Sequence, residues 1–189
     1  LLEAFPQARF VNVIRDGRAV ANSWLQMGWW DGYEGPDNWY LGPLPPRERE
    51  LWEASGRDFV VLAALGWHLL MQSFEEARAG VSADQWLDLR YEDLVAAPRE
   101  SAGRLLEFVG LDWSADYEAG FARHTFQASR GAAWRRDLGA EQVRKVEQAV
   151  GPTLARYGYQ LTEGRPDPAP SMSDGLPPLV PVGELATHS

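Results

Sequence analysis

The spacing of apolar residues changes once near the start of the chain, and this change is the strongest constraint on its fold. Residues 9–15 form a short, mostly apolar run rich in β-branched side chains, which is typical of a buried parallel strand. Residues 17–27 then follow a helical spacing, with apolar side chains at Val20, Trp24 and Met27. Asp16 stands between the two patterns and is predicted to cap the helix. The sequence therefore predicts a strand, a sharp turn and a helix, and ligands bind at the carboxyl ends of such strands in open α/β sheets.

The sequence downstream predicts a second strand among further helices. These elements are a long helix at 59–79, a strand at 85–91, a helix at 98–109 that Pro98 opens and Gly110 ends, and an amphipathic helix at 141–157. Two strands separated by helical segments indicate an α/β fold with a parallel sheet.

Two segments show no helical or strand period. Residues 28–56 are rich in Gly, Pro and aromatic side chains and are predicted to be a long loop with a functional or mobile role. Residues 162–189 are rich in Pro, Ser, Asp and Gly, and a disordered tail is predicted there because such a segment cannot bury a core. The expected division is thus a folded portion over residues 1–161 and a tail over 162–189.

Composition narrows the classes of function. The formal net charge of −9 argues against a general nucleic-acid binder, which carries a basic surface. The chain has no cysteine and only three histidines, His68, His124 and His188, without metal-ligand spacing, so no metal site is predicted. Seventeen of the 18 basic residues are arginine, whose planar guanidinium matches phosphate oxygens in a bidentate way.

Arg15 and Ser23 form a candidate anion site at the predicted strand–helix turn. Arg15 leaves the strand just before the helix, and Ser23 follows about two helical turns later. A phosphate at this turn would meet backbone N–H groups and the positive end of the helix dipole. Each residue also has a structural interpretation, since an arginine at a strand end often forms a surface ion pair and a serine is tolerated within a helix.

The segment 5–23, which reads FPQARFVNVIRDGRAVANS, resembles the 3′-phosphate-binding segment of sulfotransferases that use 3′-phosphoadenosine 5′-phosphosulfate (PAPS). In that family an Arg and a Ser eight positions apart hold the 3′-phosphate of the cofactor, and Arg15 and Ser23 have this spacing. The resemblance thus implies that Arg15 and Ser23 bind PAPS. Asp16 is expected to have a structural role as cap and turn, and Arg18 to lie on the helix surface or in a salt bridge.

Two later blocks resemble the same family in the same order. The first, LRYEDL at 89–94, implies that Tyr91 lies near the adenosine or its 3′-phosphate, with Glu92 and Asp93 as helix-start carboxylates. The second, SRGAAWRRDL at 129–138, implies that Arg130 and Gly131 close over the 3′-phosphate. Arg135 of this block is a weaker candidate than Arg130, and Arg136 is expected to be exposed to solvent.

The resemblance implies a P-loop-NTPase-like fold, with a parallel sheet flanked by helices, and transfer of a sulfuryl group from PAPS to a hydroxyl or amine. The acceptor is expected to be a small molecule, a carbohydrate or a lipid, and no nucleic-acid partner is expected. The protein is expected to lie in the cytoplasm and to have no transmembrane segment. No Gly-rich loop ending in Gly-Lys/Thr/Ser and no catalytic base are found before Arg15. The chain is therefore expected to be incomplete at its N-terminus and to have little or no turnover alone.

Other interpretations remain open at this stage. The chain could be a fragment of a P-loop kinase or NTPase, or a non-catalytic module that binds a nucleotide or a protein. The aromatic residues of 29–40 could form a lid or wall for the acceptor, or pack against their neighbours. His68 is expected to be a satisfied core histidine, and His124 is an outside candidate for the site.

Overall fold

The computed structural model of the chain describes residues 3–127 and 131–162. The strands are β1 (Phe10–Ile14) and β2 (Trp86–Arg90), and 3₁₀ helices lie at Asp31–Glu34 and Ala83–Gln85. The α-helices are α1 (Gly17–Leu25), α2 (Pro46–Ala54), α3 (Phe59–Ala79), α4 (Tyr91–Ala96), α5 (Pro98–Val109), α6 (Ala115–Phe121), α7 (Trp134–Asp137) and α8 (Ala140–Arg156). The predicted tail overlaps this part of the chain only at its first residue; the remainder, 163–189, lies outside the described residues.

The two strands pair in parallel, as an α/β fold requires. Phe10 lies opposite Trp86 and Ile14 lies opposite Arg90, so both strands end at the same level of the sheet. Antiparallel neighbours can be joined by a short turn, whereas parallel neighbours need a crossover, and here helices α1 to α3 form it. The predicted α/β class, with a parallel sheet flanked by helices, is confirmed.

Local sequence signals account for several helix ends. Asp16 and Ser114 each cap a helix through a side-chain oxygen that accepts a backbone N–H, at α1 and α6. Pro98 opens α5, and Gly110 ends it with a left-handed φ of 75°, a conformation that glycine adopts without a Cβ clash. The helix starts at Asp16 and Pro98 and the helix end at Gly110, which the sequence predicts, are thus confirmed.

Helix α3 is the centre of the core and packs against both α1 and α8. Its residues 60–67 are all buried, which explains an apolar pattern on more than one face. The approach of α1 is so close that a Cβ on Gly17 would lie 2.5 Å from the indole ring of Trp67. A Cβ on Gly66 would likewise lie 2.8 Å from Trp24. Glycine at these two positions lets α1 and α3 approach, and α1 carries the candidate site.

The segment predicted as one long loop is more ordered than its composition suggested. Helix α2 occupies Pro46–Ala54, so the prediction of an irregular segment over 28–56 is wrong there. Proline fits the first helical position because its missing N–H has no intrahelical partner there. Trp30, Trp39 and Trp52 are buried in the core, whereas Trp29 is 80% exposed. The aromatic residues therefore divide between packing and surface.

None of the helices in the described ranges is both long enough and apolar enough to cross a lipid bilayer.

Candidate functional site

The paired strand ends bring two of the sequence-predicted residues together. Arg15 and Tyr91 each directly follow the last paired residues of the sheet, Ile14 and Arg90. The guanidinium carbon of Arg15 lies 4.5 Å from the centre of the Tyr91 ring, within the range of a cation–π contact. Both side chains are half-buried. The aromatic face therefore holds a cation at the carboxyl end of the sheet.

Arg15 and Tyr91 line a pocket of about 420 Å³. The volume is within the range of small-molecule sites. One wall is helix α1, which contributes Ala19, Asn22, Ser23 and Gln26. These positions have the spacing i, i+3, i+4 and i+7 and thus share one helix face. The face that carries Ser23 is therefore the face turned toward Arg15.

A second part of the lining comes from the segment before α8. It contributes Gln127, Ala133, Arg136 and Asp137. Asp137 is joined to α1, because its Oδ2 accepts hydrogen bonds from Asn22 Nδ2 at 3.0 Å and from Gln26 Nε2 at 3.3 Å. The bond from Asn22 is the main cause that lowers the pKa of Asp137, and Arg136 adds to it. The carboxylate thus stays charged at neutral pH and fixes α7 against α1.

One backbone N–H group at the first turn of α1, where an anion is expected to bind, donates to a carboxylate of the protein itself. The Asp16 carboxylate accepts the backbone N–H of Arg18 at 2.9 Å and lies at the positive end of the helix dipole. The pocket lies along the side of α1 instead, at Ala19 and Ser23. Asp16 thus occupies the Arg18 N–H, the expectation that a phosphate meets other backbone N–H groups at this helix terminus stays a prediction, and side chains of the pocket offer further donors beside α1.

Arg18 has a structural role. It is 2% exposed, and its guanidinium forms ion pairs with Asp16 at 2.8 Å and with Glu147 at 2.6 Å. The guanidinium also stacks on the Trp134 ring at 4.2 Å and donates to the Gln160 carbonyl at 2.9 Å. The predicted salt bridge is confirmed, whereas a position on the helix surface is wrong. Arg18 joins the strand–helix turn to α7, α8 and the chain after α8.

Glu92 links the two strand ends behind the pocket. Its Oε1 accepts the backbone N–H of Asp16 at 3.1 Å, and its Oε2 accepts the Tyr159 hydroxyl at 3.1 Å. Burial, and then the nearby Glu92 charge, raise the pKa of Tyr159 far above its usual range, so this hydroxyl keeps its proton and remains a donor. Glu92 lies in the first turn of α4 as predicted and additionally holds the turn after β1 against the turn after β2.

The structure brings together three of the five predicted binding residues, namely Arg15, Ser23 and Tyr91. Gly131 is half-buried beside Glu92, where an added Cβ would lie 3.7 Å from the Glu92 Cγ, and it does not line this pocket. Arg130 lies outside the described residues.

The two described histidines are not part of the pocket. His68 is partly buried, and its Nδ1 is 2.7 Å from Thr153 Oγ1. Burial lowers its pKa, and the nearby Glu48 acts in the opposite direction. The interpretation of His68 as a satisfied core histidine is confirmed. His124 is exposed to solvent.

Sequence reasoning missed five polar residues of the pocket: Asn22, Gln26, Gln127, Arg136 and Asp137. A signal existed for the first two, because they lie one turn apart on the helix face of Ser23. For Arg136 and Asp137 the local sequence indicated only charged side chains of the kind found on a protein surface. Their place in the pocket depends on contacts between residues more than 100 positions apart.

A family model described as the sulfotransferase family matches residues 1–115, which include β1, α1 and β2. The omega-hydroxy-beta-dihydromenaquinone-9 sulfotransferase Stf3 of Mycobacterium bovis is 28% identical over 174 residues, covering 89% of this chain and 39% of that protein. Carbohydrate sulfotransferase 4 of Mus musculus is 36% identical over 90 residues, covering 40% of this chain and 23% of that protein. The chain thus spans less than half the length of these curated relatives.

Among solved structures, a sulfotransferase domain from the curacin biosynthetic pathway aligns with a TM-score of 0.47 and 18% identity, covering 84% of this chain and 56% of that one.

Proposed function

The chain belongs to the sulfotransferase family, and from this membership we propose that it binds PAPS through the pocket at the ends of β1 and β2. PAPS would supply the sulfuryl group, and the pocket would hold the 3′-phosphate of its adenosine. One observation carries the proposal: Tyr91 is far from Arg15 and Ser23 in the sequence, and all three line the same pocket. The resemblance between this sequence and the family names the same three residues.

The chemistry of the pocket supports a phosphate ligand. A guanidinium donates two parallel N–H groups to phosphate oxygens, and a serine hydroxyl donates a third hydrogen bond. The Tyr91 ring under Arg15 restricts the orientations of the guanidinium and reduces the entropy lost on binding. Asn22 and Gln26 add amide groups on the same helix face as Ser23. Neutral donors and guanidinium groups thus outnumber the one carboxylate, that of Asp137, among the described lining residues of a chain that is acidic as a whole.

The proposed reaction is attack of an acceptor oxygen or nitrogen on the sulfuryl group. The role assigned to the described residues is to bind and orient the adenosine end of the donor, and positioning of this kind lowers the barrier of group transfer. Gly131 and Arg130 remain candidates for a second contact with the 3′-phosphate. Among residues 3–127 and 131–162, a Cβ at Gly131 would meet only the Glu92 Cγ, at ordinary contact distance, so Gly131→Ala is expected to be tolerated sterically and would test its role through binding.

The acceptor is proposed to be a hydroxyl compound of the lipid or carbohydrate class. One relative is named for a hydroxylated menaquinone and another for carbohydrates. Exposed aromatic side chains on the segment between α1 and α3, Trp29 and Tyr40, offer a surface that suits either class.

The binding proposal is tested by calorimetric titration with adenosine 3′,5′-bisphosphate and with adenosine 5′-monophosphate. We expect the bisphosphate to bind more tightly, and Arg15→Ala to weaken it by at least tenfold while changing the monophosphate little. Arg144→Ala is the matched control, because Arg144 is exposed on α8 and does not line the pocket. Equal affinity for the two nucleotides in the parent chain would contradict a 3′-phosphate site and favour a kinase-like or non-catalytic nucleotide site.

A further inference from the structure

We propose that Arg136 is a second phosphate-binding arginine of this pocket and that Asp137 positions it. The inference rests on the proposed function and adds two residues to its site. Arg136 lines the pocket from the segment before α8, and neither residue belongs to the set of binding residues that the sequence resemblance implies. The sequence predicts only that Arg136 is exposed to solvent.

The first step of the argument is that Asp137 is fixed to α1. Its Oδ2 is shared by the amide groups of Asn22 and Gln26, at 3.0 Å and 3.3 Å. Asn22 is buried, so the position of its amide is set by the packing of α1. The carboxylate is consequently anchored at the helix face that also carries Ser23.

The second step is that the other carboxylate oxygen holds Arg136. Oδ1 accepts a hydrogen bond from Arg136 Nε at 2.9 Å. A guanidinium bound through Nε keeps its two terminal amino groups available, and within residues 3–127 and 131–162 neither amino group of Arg136 donates to another acceptor. The Arg136 side chain is 79% exposed and lines the pocket, so these amino groups can turn toward an anion there.

The third step concerns charge. Among the lining residues, Arg15 and Arg136 are cationic and Asp137 is anionic. A phosphate monoester carries a charge of about −1.5 to −2 at neutral pH, which one guanidinium does not balance. An acidic side chain in such a pocket opposes binding unless its own charge is compensated. Three donors compensate Asp137, and one of them, Arg136, is thereby directed toward the site.

The neighbouring Arg135 provides a contrast within the same short helix. Its guanidinium stacks on the Trp134 ring at 4.6 Å and does not line the pocket. The two arginines share residue type and sequence neighbourhood and differ in their orientation. A general electrostatic effect would be similar for both, whereas direct binding would involve Arg136 alone.

The test compares Arg136→Gln with Arg135→Gln in the full 189-residue chain, titrated with adenosine 3′,5′-bisphosphate and with 5′-monophosphate. The ratio of the two affinities reports the contribution of the 3′-phosphate. We expect Arg136→Gln to lower this ratio by about tenfold and Arg135→Gln by less than about twofold, since a hydrogen bond to a charged group is typically worth a factor of this size. Equal ratios in the two variants would overturn the assignment of Arg136.

A double-mutant cycle tests the positioning role of Asp137. We expect Asp137→Asn to lower the ratio severalfold in the parent chain and to have no unfavourable effect in the Arg136→Gln background. An equal loss in both backgrounds would show that Asp137 acts only on the structure and would overturn its positioning role.

The outcome for Arg15→Ala separates this inference from the proposed function. If Arg15→Ala leaves the ratio unchanged while Arg136→Gln lowers it, the proposed Arg15 site is wrong and the Arg136 site stands. If the parent chain does not prefer the bisphosphate, the proposed function fails, and the thermal stabilisation by inorganic phosphate decides the inference. Arg136 is supported if Arg136→Gln loses that stabilisation and Arg135→Gln keeps it, and it is rejected if both variants keep it.

Discussion

Two arginines three positions apart in the same turn have opposite surroundings. Arg18 is 2% exposed and pairs with two carboxylates, an indole ring and a carbonyl oxygen, all supplied by the protein. Arg15 is half-buried and lines an open pocket above the Tyr91 ring. The comparison teaches that a shared motif does not imply a shared role. The surroundings of each side chain decide whether its charge stabilises the fold or is available to a ligand.

The difference extends to the regions around the two residues. In the buried region, Arg18 ties the strand–helix turn to α8, so changes there should act on the free energy of unfolding. In the pocket, Arg15, Ser23 and Tyr91 are only partly buried, so changes at these residues should act mainly on ligand affinity and less on the free energy of unfolding. The predictions below test this separation.

The largest effect is expected for Arg18→Ala. The substitution leaves the carboxylates of Asp16 and Glu147 buried without their cation, and breaking a buried pair in this way typically costs about 3–5 kcal/mol. Urea denaturation followed by circular dichroism should show this loss in the free energy of unfolding. Arg15→Ala is the comparison, with an expected change below about 1 kcal/mol. Similar losses for both variants would break the proposed division into structural and binding regions.

The next effect is expected for Gly17→Ala, at the contact between α1 and α3. The new methyl group would lie 2.5 Å from the Trp67 ring, so one helix must shift, and overpacking of this kind typically costs about 1–3 kcal/mol. Gly103→Ala is a matched control, because Gly103 lies within α5 and an added Cβ there meets nothing within 4 Å. The control should stabilise the protein by about 0.5–1 kcal/mol, since alanine is the better helix former. A destabilised Gly103→Ala and an unchanged Gly17→Ala would contradict the packing described for α1.

A smaller effect, on affinity alone, is expected at Tyr91. Tyr91→Leu removes the ring beneath Arg15, and a partly exposed cation–π contact is worth about 0.5–1 kcal/mol, or about two- to fivefold in affinity for adenosine 3′,5′-bisphosphate. Tyr91→Phe keeps the ring and should lose less than Tyr91→Leu. Calorimetry on both variants distinguishes the two contributions. If Tyr91→Phe loses as much as Tyr91→Leu, the hydroxyl and not the ring is the functional group.

The smallest effect concerns pH and the buried region around His68. Burial lowers its pKa below 6.5, its usual value, so the unfolded chain binds a proton that the folded chain resists. Above pH 6.5 the titration of His68 therefore does not lower the free energy of unfolding. As the pH falls from 6.5 toward the folded pKa, the unfolded chain binds the proton more readily and the free energy of unfolding decreases. In that window, His68→Gln should show a flatter dependence of the unfolding free energy on pH than the parent chain. An unchanged slope would mean that His68 does not contribute.

The sequence was informative where structure depends on neighbouring residues. The helix cap at Asp16, the helix end at Gly110 and the extent of α3 follow from local rules and were predicted. Helix α2 was missed because glycine, proline and tryptophan on either side obscured its short period. The predicted strand–helix turn indicated Arg15 and Ser23 as a candidate anion site, and resemblance to a family added Tyr91 to that site.

Contacts between distant residues could not be predicted in the same way. The burial of Arg18 depends on Glu147 and Gln160, which are more than 100 positions away. The location of Arg136 depends on the Asp137 carboxylate, which accepts a hydrogen bond from Asn22 of α1. Such features need the packed arrangement of α1, α7 and α8, and a single sequence does not encode that arrangement in any local pattern.

The register of the two strands has a consequence for how such a chain can diversify. Arg15 and Tyr91 are brought side by side by the backbone ladder of β1 and β2, which pairs Ile14 with Arg90. No residue of the segment 28–56 contributes to the pocket. The sequence of this segment can therefore vary without changing the lining of the pocket, provided its buried tryptophans are replaced by side chains of similar volume. The fold thus separates the proposed donor site from a segment that can vary independently of it.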